Sequence, residues 1–277
     1  MIKILVDTSA DYTVEEIKEK GMELVPISIT FGDTDYKDTI DLDKDHFYEL
    51  LTTSGEFPKT AQPSPQEYVE AFEKAEENGD ELICFVLSSR LSGTFQTATL
   101  AKNIVGYDGI HLVDTLGATH MIRLMADHAQ ELIEEGKTVE EILAAVEEMK
   151  GRIQVLAVVD TLEYLCKGGR VSKTVATIGE MARVKPMITV SEGEVKVIGK
   201  SLGKNKAMAN LFKALGECEV DERFPVYSVC TAGKENPELF EAKLKAEGYD
   251  FKERLQLGAT IGTHVGPGVY GLIFVRK

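Results

Sequence analysis

The chain is short of positive charge. It carries 31 Lys and Arg against 46 Asp and Glu, a net charge of −15. A phosphate backbone demands a basic footprint, so nucleic acid is not expected as a direct partner. Reactive sulfur is scarce too. The four cysteines (Cys84, Cys166, Cys218, Cys230) lack CxxC spacing. Three of them lie among apolar or small neighbours, where a reduced cysteine is a small core filler. A cytoplasmic location is therefore expected. No apolar run approaches the ~20 residues that span a bilayer. The opening "MIKILVDTSADYT" has no small-residue cleavage site, so no signal peptide is expected. His, Cys and acids do not cluster at metal-ligand spacing. His120 and His128 are eight apart on a predicted helix without partner acids at useful offsets, so neither metal nor cofactor is expected.

What is there suits a soluble globular protein: 43% hydrophobic and 28% charged residues over 277 positions, enough for one large domain or two ordinary ones. The first half alternates strands with helices, the pattern of an α/β fold. Strands are expected at 2–6, 24–31, 82–87 and 109–113. "TVEE" (13–16), "SPQE" (64–67) and "TVEE" (138–141) are capping boxes that open helices, the second with Pro65 at the first helical position. "FYELL" (47–51) lies on an amphipathic helix, and a long helix ends near Glu135. In the second half a strand over 153–159 precedes a helix near 173–183 and a hairpin around "SEGE" (191–194), which makes that sheet at least partly antiparallel. Helices near 204–216 and 236–247 and strands near 225–230, 250–257 and 269–275 complete it. The expectation is two α/β lobes, 1–150 with a mainly parallel sheet and 151–277 with a mixed or antiparallel one, and a ligand tunnel between and within them.

Four segments put small hydroxyls and glycines at strand ends, where open α/β sheets bind ligands. "VDTSAD" (6–11) offers Asp7 and Ser9, the usual equipment of a turn and cap. "PKTAQPSP" (58–65) is stiffened by three prolines and projects Thr60 and Gln62. "LSSRLSGT" (87–94) runs from a strand into a helix start, where free N–H groups favour an anion. It is neither the GxSxG elbow nor a Walker loop. "IGTHVGPG" (261–268) reads as a flexible loop between two late strands, carrying His264. Hydroxyls, backbone N–H groups and one imidazole suit a single carboxylate. From Lys167 to Lys206, nine Lys or Arg face three acids, a local +6 in a chain otherwise −21. That is either scatter on solvated faces or a docking surface for something acidic.

Taken in order, "DTSAD", "PKTAQPSP", "LSSRLSGT", "LEYLCKGGRVS" (162–172), "VKPMITVSEGEV" (184–195) and "IGTHVGPG" closely resemble the DegV family, which includes the fatty-acid-binding subunits of bacterial fatty acid kinase. The resemblance runs from the first strand to the last. It implies a two-lobed protein enclosing one long-chain fatty acid. The carboxylate would be held by Thr60, Ser92 and His264, with Gln62 and the backbone of Gly93 nearby. It also implies presentation rather than catalysis. A separate dihydroxyacetone-kinase-like subunit would phosphorylate the carboxylate, and the acyl phosphate would feed phospholipid synthesis. Arg170, Lys173 and Lys204 would then face the kinase or its nucleotide, and transient membrane contact fits such a carrier. The chain departs from the family pattern at Ala61, where a second hydroxyl is usual, and at Leu202, an Arg position, which bears on kinase coupling more than on lipid binding. Cys230 stands where many relatives have histidine. A lipid-binding module without a kinase is the second reading. A hydrolase or acyltransferase using Ser92 with His264 is the third, although it would also need an orienting acid and an oxyanion hole.

Overall fold

The structure is a computed structural model that describes residues 1–172 and 183–277. Lys173 and nearly all of the helix expected near 173–183 lie outside the described residues. All three capping boxes form: Thr13, Ser64 and Thr138 each accept from the N–H three residues on, and Glu16, Glu67 and Glu141 reach back to the cap N–H. They open α1 (Val14–Lys20), α3 (Pro65–Asn78) and α6 (Val139–Lys150).

Two large sheets organise the chain. β1 (Ile2–Asp7), β2 (Glu23–Val25), β6 (Glu81–Val86) and β7 (Ile110–Asp114) form a parallel sheet in the order β2-β1-β6-β7. The second sheet has six strands: β8 (Ile153–Val158), β9 (Val184–Ser191), β10 (Glu194–Leu202), β11 (Tyr227–Cys230), β12 (Glu253–Gln256) and β13 (Tyr270–Val275). Its order is β10-β9-β8-β13-β11-β12, and all its pairings are antiparallel except β11 with β12. Glu192 (φ 54°) and Gly193 (φ 79°) make the β9–β10 turn, the left-handed pair that a tight hairpin needs.

Side chains alternate across each strand, so each sheet buries two faces. Ile4 and Val6 of β1 point with Ile83 and Phe85 of β6 towards α5 (His120–Glu134) and α6, which in turn meet Val155 and Ile273 of the second sheet. Leu5 and Cys84 point the other way, onto α3 and α4 (Thr94–Val105). Leu156 and Phe274 cover α8 (Lys204–Gly216) and α9 (Glu235–Ala246) on the far side. The result is helices, sheet, helices, sheet, helices. A further short helix, α7 (Glu163–Lys167), follows β8.

The expected single strand over 24–31 is two strands. Pro26 cannot donate to a ladder, and Ile27 gives its N–H to Thr8 Oγ1 instead. After this break, β3 (Ser28–Phe31) joins β4 (Thr34–Lys37) and β5 (Lys59–Ala61) in a small third sheet, order β4-β3-β5, which the sequence did not suggest. α2 (Lys44–Thr53) packs Phe47 and Tyr48 beside it. The stretch around His264 is likewise no loop: α10 (Ala259–Val265) is helical. Gly262 serves close packing there, because a Cβ would lie 2.5 Å from the Phe47 ring and 2.7 Å from the Tyr48 hydroxyl. Gly266 (φ 73°) then ends the helix.

Candidate functional site

A cavity opens between the inner face of the six-stranded sheet, α10, β5 and the segments that follow β2, β6 and β7. It measures about 90 Å³, several times the ~10–15 Å³ that one water needs. Among the described residues, seventeen of the twenty-four that line it are Ala, Val, Leu or Ile, and no Phe, Tyr or Met is among them. Ten of them are Val or Ile, whose branched Cβ restricts χ1. The wall is therefore apolar and stiff.

Thr60, Gln62, Ser92 and His264, four of the five residues expected from the sequence, line this cavity, together with Arg170. Thr60 lies in the middle of β5, paired with Ile29 of β3. Its Oγ1 is 3.0 Å from His264 Nε2, across 204 positions of sequence. His264 stands in the last turn of α10, and its Nδ1 has no hydrogen-bond partner among the described residues. Burial first, and the Arg170 guanidinium second, push the imidazole from 6.5 down to about 3. The ring is thus neutral at physiological pH.

Ser92 sits in the turn between β6 and α4. Its hydroxyl is 2.8 Å from Thr94 Oγ1 and accepts from the Thr94 N–H at 3.3 Å. Gly93 is the N-cap of α4 and lies behind Gln62, whose Oε1 occupies the space a Cβ at 93 would need. It is not itself part of the wall. Gly168 makes the same allowance for the His264 ring, since a Cβ there would run into Nδ1.

The sequence puts Arg170 on an expected docking face. The structure places it half-buried on the cavity wall. It donates from Nε and Nη2 to Leu91 O at 3.0 and 2.9 Å, and from Nη1 to Gly168 O. Burial lowers its pKa. It also lines an outer cleft with Arg90 and Lys196, so it stands between the cavity and the surface. Lys204 is exposed at the start of α8.

Buried acids hold the start of α10. Asp11 accepts from Gly258 N at 2.9 Å and from the Thr119 hydroxyl. Asp38 Oδ2 accepts from Thr260 N at 3.0 Å and from the Thr260 hydroxyl at 2.5 Å. Lys44 Nζ bridges Asp11 O and Gln256 O at 2.8 and 2.9 Å. Burial raises all three nearby carboxyls, Asp11 to about 7, Asp7 to about 6, and Asp38 upward. Asp7 has the turn-and-cap role read from the sequence: it accepts from Ser9 N at 2.9 Å and also from Leu87 N at 2.8 Å.

Thr119 and Thr260 also line the cavity, and sequence reasoning missed both. Thr260 lies four positions before His264, so reading 259–265 as a helix would have put the two on one face. Thr119 carries no local signal. Among the described residues, no group of three or more His, Cys, Asp or Glu could hold a metal ion, and no helix is long and apolar enough to cross a membrane.

The model of the DegV family (COG1307), described as uncharacterised protein, matches residues 1–277. A DegV domain-containing protein of Caldanaerobacter subterraneus is 36% identical, over 100% of this chain and 99% of its own length. Among solved structures, a DegV family protein of Thermus thermophilus, described as fatty acid binding, superposes with a TM-score of 0.88 at 28% identity, covering 100% of this chain and 99% of its own. A stearic-acid-binding protein of Eubacterium ventriosum superposes with a TM-score of 0.89 at 25% identity, with the same coverage.

Proposed function

Because the chain belongs to the DegV family, we propose that it binds one long-chain fatty acid and presents the carboxylate to a separate ATP-dependent kinase. The observation that carries this reading is the meeting of Thr60 and His264, 3.0 Å apart, with Ser92 on the same aliphatic cavity. A C16 tail brings about 15 buried carbons at ~0.8 kcal/mol each, roughly 12 kcal/mol before ordering costs. The tail supplies affinity, and the polar end fixes direction. The neutral imidazole has one N–H. With that proton on Nε2 it donates to Thr60 Oγ1, which frees the threonine proton for the carboxylate. Ser92 donates a second bond, and Gln62 and the Gly93 backbone complete the surroundings. A buried carboxylate without such partners would cost several kcal/mol.

In the kinase step a carboxylate oxygen attacks the γ-phosphorus of ATP, an O–P bond forms, and ADP leaves. In this reading the kinase subunit binds the ATP. It is the substrate-carrying subunit, in the cytoplasm, with two lobes meeting near Gly151. Arg170 spans wall and outer cleft, which suits a cation that meets the incoming nucleotide or kinase, and Lys204 would contribute to the same docking face.

A carrier without a kinase is the second reading. Leu202, at an expected Arg position, is 61% exposed at the end of the edge strand β10 and presents no charge. The hydrolase reading lacks support: Ser92 pairs with Thr94 rather than His264, and His264 Nδ1 has no hydrogen-bond partner among the described residues. The test is native mass spectrometry of gently purified protein, followed by lipid extraction. An intact, non-covalent fatty acid is expected, and His264→Ala should weaken its binding roughly threefold to tenfold, because Thr60 loses the donor that frees its proton for the carboxylate. Protein that never carries lipid, or a covalent acyl group on Ser92, would sink the proposal.

A further inference from the structure

The cavity has a second polar station away from the carboxylate end. Thr260 is one helical turn from His264 on α10, a rise of about 6 Å, and Thr119 faces the cavity from the other lobe at the start of α5. Each hydroxyl has a single proton, and each donates it to an oxygen of a buried carboxyl group, Thr119 to Asp11 and Thr260 to Asp38. What remains on both oxygens is lone-pair capacity. A plain hydrocarbon gains nothing from an acceptor, whereas a hydroxyl on the chain can donate to it.

Two further observations mark this stretch of wall as unusual. Thr119 is β-branched yet holds φ at 54°, a backbone such residues rarely adopt and one that concentrates at ligand sites. Next to it, His120 is fully buried, and neither ring nitrogen has a hydrogen-bond partner among the described residues. Hydrogen-bonding capacity is therefore concentrated beside an otherwise aliphatic tunnel.

Resting on the fatty-acid reading, we propose that Thr119 and Thr260 select acids that carry a hydroxyl within the first several carbons of the chain. One hydrogen bond is worth roughly threefold to tenfold in affinity, so the preference over the plain acid of equal length has that size. The test is competition between palmitic acid and its 3-hydroxy and 5-hydroxy analogues, read as the ratio of bound species by native mass spectrometry. In the unaltered protein at least one hydroxy acid should win by threefold or more. In Thr260→Val or Thr119→Val the ratio should fall towards one, and Thr260→Ser, which keeps the hydroxyl, should restore it. Valine leaves an aspartate with one donor fewer, so if either valine variant fails to fold, the serine variant and the other threonine decide. Palmitic acid winning, or an unchanged ratio in the valine variants, overturns the inference while leaving the carrier reading intact. Failure of all three acids to bind overturns both.

Discussion

The polar end of the cavity comes from residues 60, 62, 92, 170 and 264, which sit on a short strand, turns and the last turn of a helix. Much of its aliphatic wall comes from β8, β9 and β13, whose residues alternate between this cavity and the far helices. The ladder hydrogen bonds fix the wall residues two by two. Three of the polar residues are fixed by what touches them: Gln62 by Gly93, His264 by Gly168, and Arg170 by Leu91 O. The difference teaches that the wall rests on strand pairing, whereas the polar end depends on contacts between distant segments.

The strongest way to test that contrast is to fill the wall. Ala157 lies on β8, and Ala157→Phe should abolish binding of a C16 acid while the overpacking costs about 1–3 kcal/mol of stability. Calorimetry for binding and thermal melting for the fold read the two effects separately. Undiminished binding would show that the tail does not run past β8.

A smaller effect sharpens the other side. Asp11 anchors the segment that leads to His264. Its folded pKa is raised from 3.8 to about 7, so between those values the folded state holds more protons than the unfolded one. Its contribution to stability is fully present below about pH 3.8 and is lost as pH rises through about 7. Asp11→Asn does not titrate. The stability of the native protein relative to this variant should fall from pH 4 to 7, by a few kcal/mol at most, and level off above. A difference independent of pH would refute the buried, proton-holding carboxyl.

The smallest change is expected at Lys204. Lys204→Ala should leave fatty acid binding unaltered and lower kinase turnover only severalfold. Weakened lipid binding in this variant would break the separation between the proposed docking face and the cavity.

Much of this was legible in the chain. Each capping box is a contract between residues three apart, and all three formed. The apolar runs of β1 and β6 and the Glu192–Gly193 turn are equally local. Thr60, Gln62, Ser92 and His264 were found by their types and their resemblance to a family. The errors had a common origin. Glycines in "IGTHVGPG" looked like freedom for a loop, yet Gly262 is there because Phe47 and Tyr48, more than 200 positions away, press on a helix. Pro26 divided one apparent strand between two sheets. The cavity side of Arg170, expected only as part of a docking surface, was not legible because its acceptors, Leu91 O and Gly168 O, carry no side-chain signature.

The sequence alone determined helix starts, strand alternation, the net acidity and the kinds of groups available to grip an anion, since these depend on neighbours in the chain. Tertiary structure alone decided that Thr60 meets His264, that Arg170 turns to the wall, and that two threonines of the cavity wall bond to buried acids. Desolvation and hydrogen-bond geometry act through space, and only the closed fold brings those partners within reach.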